Sequence, residues 1–418
     1  MKRQPILALL ASALLTAAAL GDDRDWPQWR GPARTGLSTE TGLLKKWPEG
    51  GPKLAWKIKG LGDGFSTPSV ASGRLYILGT KEKDEYLIAL STADGSRAWD
   101  VKIGAMAGGH PGPRCTPTVD GDRIYALSSD GKLHCVGSGK GNVVWSKDLR
   151  ADFGGKYGGW AYAESPLIDG DVLVCTPGGE TAPIVALNKN TGDVIWKASI
   201  TGLPEGKKRS YTTSGYSSVI TAMIHGTKQY VQFLSGGVVG LDAKTGKLLW
   251  HYEHPANGTA NCSTPIVKND AVFAASAYGN GGGRADITKA GDNFEANEKY
   301  FVKQMQNHHG GMVLVGDHLY GTGNNSLLCV DFDSGKILWD EKSAGKGAVC
   351  YADGHIYLRG EKGEIALVEA NPKEYIEKGK FMQPERSAKQ AWPHPVVSGG
   401  KLYIRDLDLL LCYDVSAK

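Results

Sequence analysis

The sequence predicts an all-β fold, an eight-bladed β-propeller of four-stranded antiparallel blades. Three observations carry this. Glycine makes up 57 of 418 residues, about twice its usual share of roughly 7%, alongside 11 Trp, 17 Tyr and 8 Phe. That combination supplies many turns and many large core side chains. A unit ending in Gly-x-x-x-Trp recurs at Trp99, Trp145, Trp196, Trp250 and Trp339. Finally, the chain closes on three strands without a fourth, while an unpartnered strand stands near its beginning.

The first unit reads Ser66-Thr67-Pro68-Ser69-Val70, Gly73-Arg74-Leu75-Tyr76, Leu87-Ile88-Ala89-Leu90, then Gly95 and Trp99. The second runs from Thr116-Pro117 through Ile124-Tyr125 and Leu133-His134-Cys135-Val136 to Gly141 and Trp145. Runs of four to six alternating residues separated by Gly, Asp and Asn are short strands joined by tight turns. Two apolar faces on each sheet require stacking on further copies, which closes a ring. Trp spacings of 46, 51 and 54 are followed by one of 89. The long gap spans two blades, with the missing anchor expected within Phe301–Met305. A seventh blade ends near Phe381. The last has strands at 394–397, 401–403 and 411–414, and residues 52–57, carrying Trp56 in register, are expected to complete it and so remove an open edge.

The formal charge of +4 leaves no basic footprint for nucleic acid. Residues 1–21, with Lys2, Arg3 and an apolar run to Leu20, read as a signal peptide. Residues 22–50 read as an N-terminal extension and 51–418 as a single propeller domain. No later segment is apolar enough to span a membrane, and no Cys stands at the cleavage site for a lipid anchor. The expected location is periplasmic or secreted. Seven cysteines are an odd number, and Cys135, Cys329 and Cys412 occupy the slot held elsewhere by Ala89, Ala186 and Gly240. They read as small buried hydrophobes.

The Thr-Gly-x-x-x-Trp endings with Thr/Ser-Pro starts resemble the pyrroloquinoline-quinone-type repeat family over about residues 50–415. Trp26-Pro27-Gln28-Trp29-Arg30-Gly31-Pro32 resembles the opening of exported bacterial propellers of this type. The family includes eight-bladed quinoprotein dehydrogenases and the non-enzymatic outer-membrane assembly lipoprotein. The resemblance therefore implies either a scaffold or an enzyme holding pyrroloquinoline quinone and calcium. The chain departs from the dehydrogenases in lacking an adjacent Cys pair, and from the lipoprotein in lacking its lipidation Cys.

A site is expected where the innermost strands begin, at the triplets just before each Thr/Ser-Pro position. These are 65–67, 114–116, 163–165, 216–218, 262–264, 308–310, 347–349 and 392–394. Arg114, Glu164, His308, His309 and His394 are the large polar residues among them, and His110 leads into the ring. Glu164 is the catalytic candidate, as general base or ligand, against simple pairing with Arg114. At most one of His308 and His309 is expected to face the channel, since neighbours on a strand alternate, and no metal site is assigned. The run Gly279 to Gly283 reads as a wide hairpin loop. With no catalytic motif present, the chain reads as a scaffold or binding module for a protein or polymer at the cell envelope. The alternative is a quinoprotein-like dehydrogenase acting on an alcohol, and a hydrolase or lyase built on Glu164 and His309 stands behind both.

Overall fold

The computed structural model describes residues 24–200, 203 and 210–417. The expected signal peptide lies outside them. Among the described residues, thirty-two strands form eight separate four-stranded antiparallel sheets, in sequence order from the axis outward. In blade 1 these are Ser69–Ala71, Arg74–Lys81, Asp84–Ser91 and Arg97–Ala105. Blade 8 departs as expected: Lys53–Ile58 pairs antiparallel with Leu409–Asp414 and supplies the outermost strand. The only helix among the described residues is Leu149–Phe153.

The repeated Gly-x-x-x-Trp has one physical cause. Each Trp sits on the outermost strand opposite a small residue: Trp99 on Ala89, Trp145 on Cys135, Trp196 on Ala186, Trp250 on Gly240 and Trp339 on Cys329. Most of the indoles then cross to the next blade. Trp56, Trp99, Trp145 and Trp196 each donate to a carbonyl there, on Thr92, Ser138, Lys189 and Ala243. Each of these rings lies against the turn glycine three residues further on, at Gly95, Gly141, Gly192 and Gly246, with φ between +72° and +76°. A side chain there would both strain the backbone and displace the indole. The cysteines follow the same logic. All seven are free thiols, and Cys135, Cys329 and Cys412 fill the narrow space opposite a Trp.

Blade 5 corrects the expected anchor. Its outermost strand, Asn293–Val302, is part of a ten-residue-per-strand hairpin, and Tyr300 holds the Trp position. Its hydroxyl donates to Phe332 O at 2.7 Å and its ring covers Gly335. The extended hairpin shifts the count by a residue from the window Phe301–Met305. The glycine run is corrected too. Gly281–Gly283 begins the strand Gly281–Ala290 and is not loop. A Cβ at Gly282 would lie 2.6 Å from the Phe273 ring, and one at Gly283 would collide with the Tyr252 hydroxyl. These glycines make room for core aromatics.

Blade 7 has no aromatic anchor of its own, because Gly379 occupies that register opposite Leu367. Trp47, from the extension, fills the space. It donates its backbone N–H to Lys378 O, packs edge-on against Tyr357 and Phe381, and is 3% exposed. The extension is thus part of the fold. Trp47→Ala is expected to lower unfolding free energy by about 3–5 kcal/mol, the cost of emptying a large buried aromatic site, read from denaturant unfolding. A loss under about 1 kcal/mol, the range of surface changes, would show that blade 7 is sealed without it.

Candidate functional site

One end of the axial channel is crossed by residues 24–38, which reach every blade near its innermost strand. Arg24 O accepts from Ser398 (blade 8), Trp26 exchanges two hydrogen bonds with Val70 (blade 1), and Pro27 O accepts from Val119 (blade 2). Trp29 Nε1 donates to Thr264 Oγ1 (blade 5) at 2.9 Å. Gly36 and Ser38 bracket Tyr351 (blade 7). Arg30 donates to Gly310 O and Met312 O (blade 6). Arg34 donates to Ser165 O and Pro166 O (blade 3) and Val219 O (blade 4). Both guanidiniums are buried, which lowers their pKa to about 10. Both residues hold positive φ, +60° and +56°, a conformation a non-glycine residue keeps only where its surroundings over-determine it.

Above this strap lies a cavity of about 110 Å³. Its walls are Phe65, Trp160, Tyr216, Tyr278 and Trp392, and Trp29 contributes from the strap. Arg114, His308 and His309 line it with Thr67 and Ser218. The aromatics form a linked belt. Phe65 and Trp392 are 4.4 Å apart between ring centroids, His110 contacts Trp392 and stacks on Trp160 at 11°, and Trp160 meets Tyr216 edge-on. Tyr278, 46% exposed, marks the opening.

The sequence-predicted residues separate here. Arg114 lies over the Phe65 ring and donates to Gly112 O and His110 O. Burial lowers its pKa to about 10. His308 and His309 both line the cavity, against the expectation that at most one would. Residues 308–310 form a bend with Gly310 at φ +83°, so strand alternation does not apply. His308 contacts the Tyr278 hydroxyl at 2.8 Å, and burial lowers its pKa to about 4. His394 lies outside the lining. It bonds His309 O at 2.8 Å, its ring meets Trp29, and burial lowers its pKa to about 3.

Glu164 is turned into the blades and is not among the lining residues. Its carboxylate accepts from Thr176 N at 2.6 Å and Thr176 Oγ1 at 2.9 Å. It stands where Ser66, Cys115 and Ser263 stand in other blades, each accepting the backbone N–H twelve residues on, from Leu78, Leu127 and Ala275. The middle residue of the triplet thus ties the entry segment to the second strand, while the first residue faces the axis. Glu164 shares no hydrogen bond or ion pair with Arg114 among the described residues. Its nearby cation is Arg34.

Sequence reasoning missed the aromatic walls. Phe65, Tyr216 and Trp392 stand first in their triplets, and period-two alternation could have selected them. Trp29, Trp160 and Tyr278 come from outside the repeat. Glu361 was also missed. It accepts from His309 Nε2 at 3.2 Å and Trp392 Nε1 at 3.3 Å, and pairs with Lys346 at 2.7 Å. Burial opposes its charge, but His309 and Lys346 hold its pKa down at about 2. Ligand atoms of His308, His309 and Glu361 lie within 4.8 Å of one another. Both oxygens of Glu361 are already engaged, by two N–H donors and an ammonium, which accounts for the cluster without an ion.

Comparison with known proteins places this geometry. The model of the family described as outer membrane protein assembly factor BamB matches residues 83–341. A BamB of Yersinia pestis is 21% identical over 295 residues, 66% of this chain and 68% of that protein. A polyvinylalcohol dehydrogenase of Sphingopyxis is 24% identical over 240 residues, 53% of this chain, and the match spans about a third of that enzyme, 32%. Among solved structures, BamB from Moraxella catarrhalis superposes with a TM-score of 0.60 at 15% identity, covering 89% of this chain and 98% of that one. Quinohemoprotein alcohol dehydrogenase from Comamonas testosteroni gives 0.64 at 13%, covering 94% and 81%. At such identities the superpositions speak for the fold.

Burial raises the Glu164 pKa from its ordinary value of about 4.5 to about 7. The folded chain then binds more protons than the unfolded chain between these values. Stability attributable to this group therefore falls as pH rises from about 4.5 to about 7 and is level above. Glu164→Gln is expected to match the parent near pH 4.5 and to exceed it above pH 7 by on the order of 3 kcal/mol, measured by denaturant unfolding across that range. A difference that does not grow with pH would refute the assignment.

Proposed function

The chain belongs to the family of the outer membrane protein assembly factor BamB, and from that membership we propose that it is a binding module of the bacterial cell envelope, taking part of a protein or polymer into its axial cavity. The observation that carries this reading is the composition of the cavity. Aromatic walls, one arginine and two histidines surround a space with no carboxylate in its lining. Such a surface offers stacking and hydrogen bonding. General acid–base chemistry would need a free, positioned proton carrier within reach of a substrate; Glu164 is committed to Thr176, His308 is held to the Tyr278 hydroxyl with its pKa lowered by burial to about 4, and His309 is tied to Glu361. A periplasmic location fits the N-terminal sequence and the envelope role named for the relatives, and no helix among the described residues is long and apolar enough to cross a membrane.

A quinoprotein-like reading requires oxygen donors for calcium beside the quinone. Calcium takes six to eight oxygen ligands, largely carboxylates and carbonyls. The cavity lining holds Arg114, two histidines and no acid, and the nearby Glu361 is neutralised by Lys346. The residues present do not fit a calcium-bound quinone, and no oxidation step is built on one.

Supplied with pyrroloquinoline quinone and calcium, the purified chain is expected to show neither stoichiometric quinone binding nor dye-linked alcohol oxidation. A photo-crosslinking residue placed at Tyr278 should instead trap an envelope component in cells. Turnover dependent on both additives would overturn the binding-module reading.

A further inference from the structure

The loop from Ala107 to Pro113 runs beside the mouth of the axial cavity, and its ends are fixed. Ala107 N donates to Ser129 Oγ at 2.8 Å, and Pro113 O accepts from Phe65 N at 2.8 Å. Gly112, at φ +74°, lies so close to the Asp63 carbonyl that a Cβ there would collide with it. The middle of the loop is held far less. Among the described residues, the one bonded main-chain N–H of residues 108–112 is that of Gly109, to Gly159 O at 3.4 Å. Gly108 and Gly109 are exposed, and Gly108 holds φ +80°. Firm ends with glycines and few main-chain bonds between them favour movement of the middle as a unit.

That middle carries His110. Its ring stacks on Trp160 at 11° and meets Trp392 at 5.1 Å between centroids. Trp160 lies in the segment entering blade 3 and Trp392 in the segment entering blade 8. Blades 1 and 2 stand between them, so the imidazole bridges two cavity walls that do not adjoin. His110 also borders a second hollow of about 370 Å³, shared with Asp63, Thr80, Glu82 and Met106. The loop has room to move there, and doing so would release both indoles and widen the mouth. The size of the cavity calls for such a movement. At about 110 Å³ it equals three or four waters at about 30 Å³ each. A segment of protein or polymer is larger than that, so the closed form does not admit one.

We infer that residues 108–112 are a lid on the axial cavity, closed by His110 between Trp160 and Trp392 and opened by swinging that side chain toward the outer hollow. This inference rests on the binding-module reading and concerns how the ligand enters. A thiol inside the cavity tests it without a ligand. Cys262 lines the cavity and is half-buried, while the other six cysteines are buried. The readout is the rate at which Cys262 is labelled by bulky fluorescein maleimide, divided by its rate with small iodoacetamide, each located by peptide mass mapping. The ratio cancels changes in the thiol itself. In His110→Ala it is expected to rise by about tenfold, the scale set by losing two aromatic contacts. His110→Phe keeps a ring in place and should label like the parent. Gly108→Ala is a second, independent variant. Its Cβ would stand 3.1 Å from the Ala161 Cβ, loosening the loop, and the ratio should rise there too. Thermal melting and unlabelled buried cysteines confirm that each variant is folded. A ratio unchanged in both His110→Ala and Gly108→Ala overturns the lid, as does a rise in His110→Phe equal to that in His110→Ala. A rise in Tyr278→Ala alone places the entrance at Tyr278 and overturns it as well. Those outcomes leave the binding-module reading standing, whereas quinone-dependent turnover removes that reading without touching the labelling result.

Discussion

Eight innermost strands converge on an axis where none has a neighbour to complete its hydrogen bonding. Buried backbone carbonyls left unpaired are costly, so some other part of the chain must meet them. Arg30 and Arg34 do this from the strap, Arg30 meeting two main-chain oxygens of blade 6 and Arg34 three of blades 3 and 4. Arginine suits the task because its planar fork makes several bonds from one rigid group. Once those contacts form, one end of the channel is closed, Trp29 is brought to the cavity, and His394 is held against Trp29 and His309 O. The site above depends on the plug below.

The fold was legible because it is written in repetition. A Gly four residues before each Trp encodes a contact between one blade's turn and the preceding blade's indole, and five copies made the register readable. Where that contact was made by other residues, legibility failed in proportion. Tyr300 performs the same bridge with a hydroxyl instead of an indole N–H, inside a hairpin too long for the spacing rule. Trp47 performs it from outside the repeat, which no count of intervals could reveal.

The site was less legible for a related reason. Aligning triplets located the residues around the axis but did not say which way each side chain points. Glu164 attracted attention because it is charged, yet its register is that of Ser66, Cys115 and Ser263, so it faces the blade. His308 and His309 escape alternation because Gly310 bends the chain. The aromatic belt was visible in part as Phe65, Tyr216 and Trp392, but apolar residues in a core-rich sequence carry no distinguishing mark until their exposure is known. Trp160 and Tyr278, brought in from connecting segments, had no repeat to announce them.

The clasp between Lys53–Ile58 and Leu409–Asp414 also bears on how the molecule is made. Trp56 leaves the ribosome long before its register partner Cys412. Until then the first strand has no sheet to join, and the strap has no complete ring of inner strands to span. Repeat arrays ordinarily gain stability one neighbour at a time. Here the last blade and the plug are secured only when Lys53–Ile58 meets Leu409–Asp414, a contact of very large sequence separation. Folding is then governed by a late, non-local closure, and the nascent chain carries exposed strand edges and unclaimed aromatic surface until that closure forms.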